Sequence, residues 1–529
     1  MIKNKKYLET FFVFALFLFG FYYYCIRIVG IDFSSTPGDY GDSRFINFIL
    51  EHGYRWIRGF DPDFWTATFM YPLKNNVAIS DSMAGTLPIY ACFRFFGANT
   101  ETAYQSWWLS IYILNYWFCF IAFKKIDFNN FTSAIGAYVF AFGINNLNQF
   151  PHLQFSCKFF IPISLAFSYL FLCRPTLKNL SVFVFSVVFQ FYATPYLGII
   201  LIYFILLFFI SFLAFKEKRN TFVKQFTGKK LLSSVAIITL GFLLILVIAI
   251  PHYQMAKYLG ARDYKIEILP NLPRIYSYFF PNNSSISWDF LKNSPLKSTG
   301  TWYIHDLFPG AFCYSGLLVC IIYFVYMRKN KRQINILPIV LFTVFITLIL
   351  LTSKNENDFS FFKYFRSLPG LDSMRVTTRF MIVGNFILIW LCLFFVKLIN
   401  KNNLVIVYLI FTTLVICDNL FEPFDNKIPI TSKQIRLDKI EKMCAIINSE
   451  NTENKKIIAY LNISGDNEVT LQLDVMLAAQ KLNLYTLNGY SSTCFGDLCS
   501  AYNDTSHIKL SKWLQNSKID EKNVLYIIK

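Results

Sequence analysis

Apolar residues fall along this chain in runs separated by short polar joints. Runs near the roughly 20 residues that cross about 30 Å of hydrocarbon predict membrane-spanning helices. Eleven stand out, at 8–30, 104–123, 131–147, 155–173, 180–194, 196–215, 231–250, 309–327, 333–352, 378–397 and 403–421. The run 180–194 meets its successor at Ala193-Thr194-Pro195, where proline predicts a hairpin or a kink. The first run has no small-residue cleavage site and reads as a retained anchor rather than a signal peptide. Residues 84–97 carry Pro88 and Arg94 and are too short to span, so they predict a helix at the interface or dipping into it. After Phe421 the pattern becomes that of a soluble chain. A strand at 457–463, a helix at 473–483, a segment 484–491, a helix around 506–517 and a strand at 524–528 predict a small α/β unit. The expected architecture is an all-α polytopic membrane bundle over 1–421 and a small α/β domain over 422–529.

Composition agrees with this pattern. Of 529 residues, 55% are hydrophobic and only 16% charged, too few charges to coat the domains of a soluble enzyme. The net charge of +18 would suggest nucleic acid in a soluble protein, but its placement decides otherwise. With the N-terminus inside, the inner joints hold nineteen Lys and Arg against only Asp127 and Glu217, which accounts for +17. Basic inner loops are a topology signal. The expected location is a bacterial cytoplasmic membrane, with the tail 422–529 and the long loops 31–103, 251–308 and 353–377 on the outer side. Among twelve cysteines, most lie inside spans, while Cys494 and Cys499 sit in an outer segment where a disulfide is expected. No Walker loop, HExxH or CxxC pattern occurs.

The outer segments concentrate the candidate chemistry. The first opens with Pro37-Gly38-Asp39-Tyr40-Gly41-Asp42-Ser43-Arg44 and continues as an amphipathic helix expected to lie flat on the membrane. Capping alone explains one aspartate there. Two, held between glycines where the chain leaves the membrane, also fit catalysis. Trp65 and Tyr71 follow in an aromatic-rich stretch, as interface aromatics or as sugar-stacking platforms. His152 sits in a polar turn between the third and fourth spans; Arg262 and Glu267 follow in a later loop. Arg375 and Arg379, four apart at the mouth of a span, read either as snorkelling residues or as a clamp for phosphate oxygens.

The runs GDYGDSRFINFILEHGYRWIRG, FMYP, ISDSMAGTLPIY, PHLQF, SLPGLDSMRVTTRF and LDVMLAAQKLNLYTLNGYSS, in that order, resemble the GT-C superfamily of polyprenyl-phosphosugar-dependent glycosyltransferases. The resemblance implies an acidic catalytic residue in the first outer loop, a place held here by Asp42 with Asp39 as the near alternative, and a flat interfacial helix after it. Where that family often pairs Asp with Glu, Ser43 follows Asp42. It implies Arg375 and Arg379 as the holders of a lipid phosphate.

The expectation is an inverting hexosyl- or pentosyltransferase that moves a sugar from a polyprenyl phosphate to a cell-envelope glycan or lipid. His152, Arg262, Glu267, Trp65 and Tyr71 would contribute to substrate binding. No nucleic-acid partner follows, and no cofactor; a divalent metal near Asp39 stays open. The rival readings are a multi-pass transporter and a non-catalytic scaffold. The spans are almost free of charge at their centres, which speaks against a transport path.

Overall fold

The computed structural model describes residues 2–225, 229–292, 305–398, 404–423, 428–461, 468–491 and 508–528. Cys494 and Cys499 lie outside the described residues. Each of the eleven apolar runs contains a helix. Among the described residues six helices are long and apolar enough to cross a membrane: Tyr7–Val29, Thr100–Lys125, Pro195–Leu213, Lys230–Leu259, Ala311–Lys329 and Thr377–Leu398. The apolar helices Phe160–Cys173, Leu177–Ala193, Ile336–Thr352 and Tyr408–Asp418 are shorter. Asn130–Phe142 has 13 residues, about 20 Å at 1.5 Å per residue, because polar 146–149 continues as a 3-10 turn instead. The count of eleven crossings therefore stays an expectation. Thr194 is extended, and Leu177–Ala193 and Pro195–Leu213 pack against each other, so the proline corner is a hairpin. The 84–97 stretch forms the nine-residue helix Leu87–Phe95.

The helix Phe380–Leu398 runs through the centre of the bundle, buried from Phe380 to Val396. Successive helices place polar joints at one end and basic joints at the other. Thr100–Lys125 ends in Lys124 and Lys125, Phe160–Cys173 runs into Arg174, and Phe380–Leu398 closes on Lys397.

The tail is bound to the first long loop along several seams. Strand β1 (Ser35–Pro37) pairs antiparallel with β2 (Ile430–Ser432), in the register Thr36 to Thr431. Strands β3 (Ile457–Leu461), β4 (Tyr485–Thr486) and β5 (Val524–Ile528) form a parallel sheet ordered β4-β3-β5. The loop adds to its edge: Thr486 donates its N–H to Thr68 O at 2.8 Å, and Tyr71 its N–H to Thr486 O at 3.0 Å.

The amphipathic helix Asp42–Ile57 departs from its expected setting. Its polar face is not open to water, because Ser43 through Tyr54 are all buried. Buried polar groups are normally partnered, and the partners here come from other segments. Glu51 receives two bonds from Arg94, Nε at 2.7 Å and Nη2 at 2.9 Å, and one from Tyr90 at 2.8 Å. Asn47 donates to Glu101 at 3.0 Å. Arg44 forms an ion pair with Asp474 at 2.6 Å, at an angle poor for a hydrogen bond. These polar and charged side chains form the seam on which the tail helix Glu468–Lys481 and the helix Leu87–Phe95 dock.

Candidate functional site

The Gly38–Ser43 turn is fixed from both sides. Gly38 has φ +93°, and a Cβ there would lie 2.3 Å from Ser43 Cβ, so only glycine fits. Asp39 Oδ1 accepts the N–H of Gly41 at 3.1 Å and of Ser43 at 3.2 Å. From the tail, fully buried Arg436 donates to Asp39 O at 2.8 Å, Ser43 Oγ at 2.6 Å and Thr431 Oγ1 at 2.6 Å, and pairs with Glu101 at 3.4 Å.

Capping therefore falls to Asp39, which leaves the Asp42 side chain free to face other groups. Asp42 Oδ2 lies 2.6 Å from His152 Nδ1, and Oδ1 accepts the Tyr490 hydroxyl at 2.5 Å. The side chain stays 29% exposed, so the carboxylate is reachable from outside the protein. Burial would raise its pKa, but hydrogen bonds from His152 and Tyr490 and the charges of His152 and Arg379 outweigh it and hold the carboxyl below its ordinary value. Asp39 goes the other way. Burial and the Asp42 charge raise it, against the Ser43 N–H.

Arg379 opens the central helix. Its guanidinium lies 4.1 Å from the Phe155 ring centroid and 4.7 Å from that of Tyr196, and its Nε has no hydrogen-bond partner. Aromatic faces hold a guanidinium without consuming its donors. Arg375 lies four residues before it, in irregular chain ahead of extended Val376; burial and the charges of Arg262 and Arg379 lower its pKa, with Tyr196 and Asp42 opposing. Arg262 donates to Glu267 at 2.7 Å and to Ser373 O at 3.2 Å, which ties the loop after Leu259 to the loop before Thr377.

Asp42, Asp39, His152, Arg379 and Arg375 are thus brought together, with Arg262 and Glu267 behind Arg375. Trp65 lies at the edge, 5.5 Å from the ring of His252. Tyr71 packs instead on Tyr485 at 4.6 Å, and its carbonyl accepts the Trp513 indole N–H at 3.2 Å. Sequence reasoning did not single out three groups. Tyr490 lay unremarked in the quoted LNGYSS run. Arg436 carried no local signal. Asp81 is buried, accepts from Thr194 at 2.7 Å and is raised by burial against the charges of His252 and Arg379. Among the described residues no three His, Cys, Asp or Glu side chains converge to hold a metal ion, and each Asp42 oxygen already has a partner. The donor set at Asp42 does not fit a divalent ion.

No protein-family model matches the chain, and no curated protein matches it. Solved structures do. The apo crystal structure of the Archaeoglobus fulgidus oligosaccharyltransferase superposes with TM-score 0.51 at 11% identity, covering 92% of this chain and 65% of that one. The oligosaccharyltransferase AglB of the same organism, in complex with an inhibitory peptide and a dolichol-phosphate, matches with TM-score 0.51 at 10% identity and the same coverage. The fold is GT-C-like. At this identity the likeness establishes fold alone, and the chain spans about 65% of the length of these structures.

Proposed function

We propose that the protein is a multi-pass membrane glycosyltransferase that moves a sugar from a polyprenyl phosphate to a cell-envelope glycan or lipid acceptor, with inversion. The observation that carries this reading is the Asp42 carboxylate, partly exposed, paired with His152 and facing Arg379 and Arg375. In this reading 1–421 is the membrane part, 422–529 an extracytoplasmic α/β part, and the loops 31–103, 251–308 and 353–377 the outer face. The inner face carries the basic joints, as in a bacterial cytoplasmic membrane.

The acceptor hydroxyl donates its proton to Asp42 as its oxygen bonds to the anomeric carbon. The bond from that carbon to the phosphate oxygen breaks, and its electron pair leaves with the phosphate. Arg379 and Arg375 stabilise the phosphate charge as it develops. His152 orients the carboxylate and shares its negative charge. Arg262 and Glu267 position Arg375, and Trp65 borders the entrance; Tyr71 is better read as a tail contact. That a similar structure holds a dolichol-phosphate supports a lipid-phosphate donor. The reading is tested by analysing lipid-linked sugars and envelope glycans in a strain lacking the protein. A loaded polyprenyl-phosphate sugar should accumulate while one glycan modification disappears; an unchanged profile overturns the reading.

A further inference from the structure

Each oxygen of Asp42 is engaged, and the two partners differ in kind. His152 belongs to the membrane part; Tyr490 arrives from 448 residues along the chain, on the tail. Its seat is built. Asn488 donates to Tyr460 O at 2.9 Å and to Gln472 at 2.8 Å, and accepts the Tyr460 N–H at 2.8 Å. Met70 N–H donates to Asn488 O at 3.0 Å, and a Cβ on Gly489 would lie 2.2 Å from Met70 Cγ. One residue later the Tyr490 ring packs on Phe45 at 5.4 Å, and its hydroxyl lies 3.3 Å from where a Cβ on Gly41 would stand. Gly41 thus leaves the room that lets the hydroxyl reach Asp42.

A phenol hydroxyl donating to a carboxylate offers the bond that a sugar hydroxyl, or water, would offer. We propose that Tyr490 is a positioning residue that holds the acceptor's place on Asp42 Oδ1, keeping water off the base until an acceptor hydroxyl displaces it. The inference rests on the glycosyltransferase reading and adds selection against water to it. Burial and the Asp42 carboxylate raise the Tyr490 phenol further, so it stays a donor throughout. The groups around Asp42 are His152, Tyr490, Arg379, Arg375 and Asp39, and Tyr490 is the one that the tail supplies.

The test uses the full chain in lipid nanodiscs and the variant Tyr490→Phe, which keeps the ring on Phe45 and removes only the hydroxyl. The first arm measures modification of Asp42 by a water-soluble carbodiimide and an amine, read by peptide mass spectrometry across pH 4–7, with Asp39 as internal control. Tyr490→Phe should label Asp42 about tenfold faster, with its pH profile moved upward, and leave Asp39 and the thermal transition unchanged. The second arm supplies a short-chain polyprenyl-phosphate hexose without acceptor; release of free hexose should rise about tenfold in the variant. Unchanged Asp42 labelling overturns the proposal. So does faster labelling without faster hydrolysis in protein that still transfers sugar. An unchanged profile of lipid-linked sugars and envelope glycans in the strain lacking the protein refutes the glycosyltransferase reading instead, and the labelling alone then decides whether Tyr490 covers Asp42.

Discussion

Asp39 and Asp42 stand three residues apart and experience opposite electrostatics. Asp39 is raised, by burial and by the Asp42 charge, while its oxygen caps Gly41 and Ser43. A carboxyl whose folded pKa exceeds its unfolded value favours the fold most below the unfolded pKa, about 3.9, and loses that contribution as pH rises. Asparagine keeps the accepting oxygen and removes the charge. Asp39→Asn should therefore melt at or above the wild-type temperature at pH 7, with the difference vanishing below about pH 4. A clearly lower melting temperature at pH 7 would mean that the turn needs the charge. Asp42 is lowered, so it is already ionised at neutral pH, and the acid limb of transfer should lie below about pH 4. An acid limb above about pH 6 in the pH–rate profile would assign proton removal to another group. The aspartates were legible because two acids between glycines at the end of an apolar run have few purely structural uses. Their division of labour was not, since it depends on which carboxylate turns back to cap and which meets His152.

At the scale of elements, the apolar helices and the tail strands followed from the pattern of the sequence: each apolar run contains a helix, and β3 and β5 fall inside the predicted 457–463 and 524–528. The setting of Asp42–Ile57 did not, because a pattern of spacing states which residues share a face but not what covers it. Its polar face is buried by partners far away in sequence, such as Asp474 and Arg94. The same holds for Arg436, whose helix Lys433–Glu450 lay in a stretch with no expected element. Removing one member of a buried, hydrogen-bonded ion pair leaves the other uncompensated and costs about 3–5 kcal/mol. Arg436→Ala should lower the stability of the tail and first loop by about that amount, because Glu101 and the Asp39 carbonyl lose their donor. Hydrogen exchange over 35–43 and 430–440 measures this; protection equal to wild type would show that Arg436 does not hold the turn.

At the scale of the molecule, the site lies where helices of the bundle, two outer loops and the tail meet at one end of the bundle. Tyr23 donates to Phe421 O at 3.0 Å, so the end of the Leu404–Asp418 helix is held at the C-terminal end of the first helix, the end from which the chain runs on to Asp42. A reporter fused after Phe421 should therefore read extracytoplasmic, and a cytoplasmic reading would put the site on the wrong face. The helical bundle could be reasoned from hydrophobic runs. That the tail completes the site could not, because Tyr490 and Asp42 meet only through the folded loop between them. The account stands or falls on sugar transfer by purified full-length protein carrying Asp42→Asn, assayed from a polyprenyl-phosphate donor beside Asp39→Asn. Asparagine keeps the size of the side chain and its acceptor oxygen but cannot take a proton. Transfer should fall by about 10²-fold or more in protein that still folds, its melting temperature at pH 7 only somewhat lower because the fold favours the ionised Asp42, while Asp39→Asn retains most of it. Near-full transfer by Asp42→Asn would contradict the account.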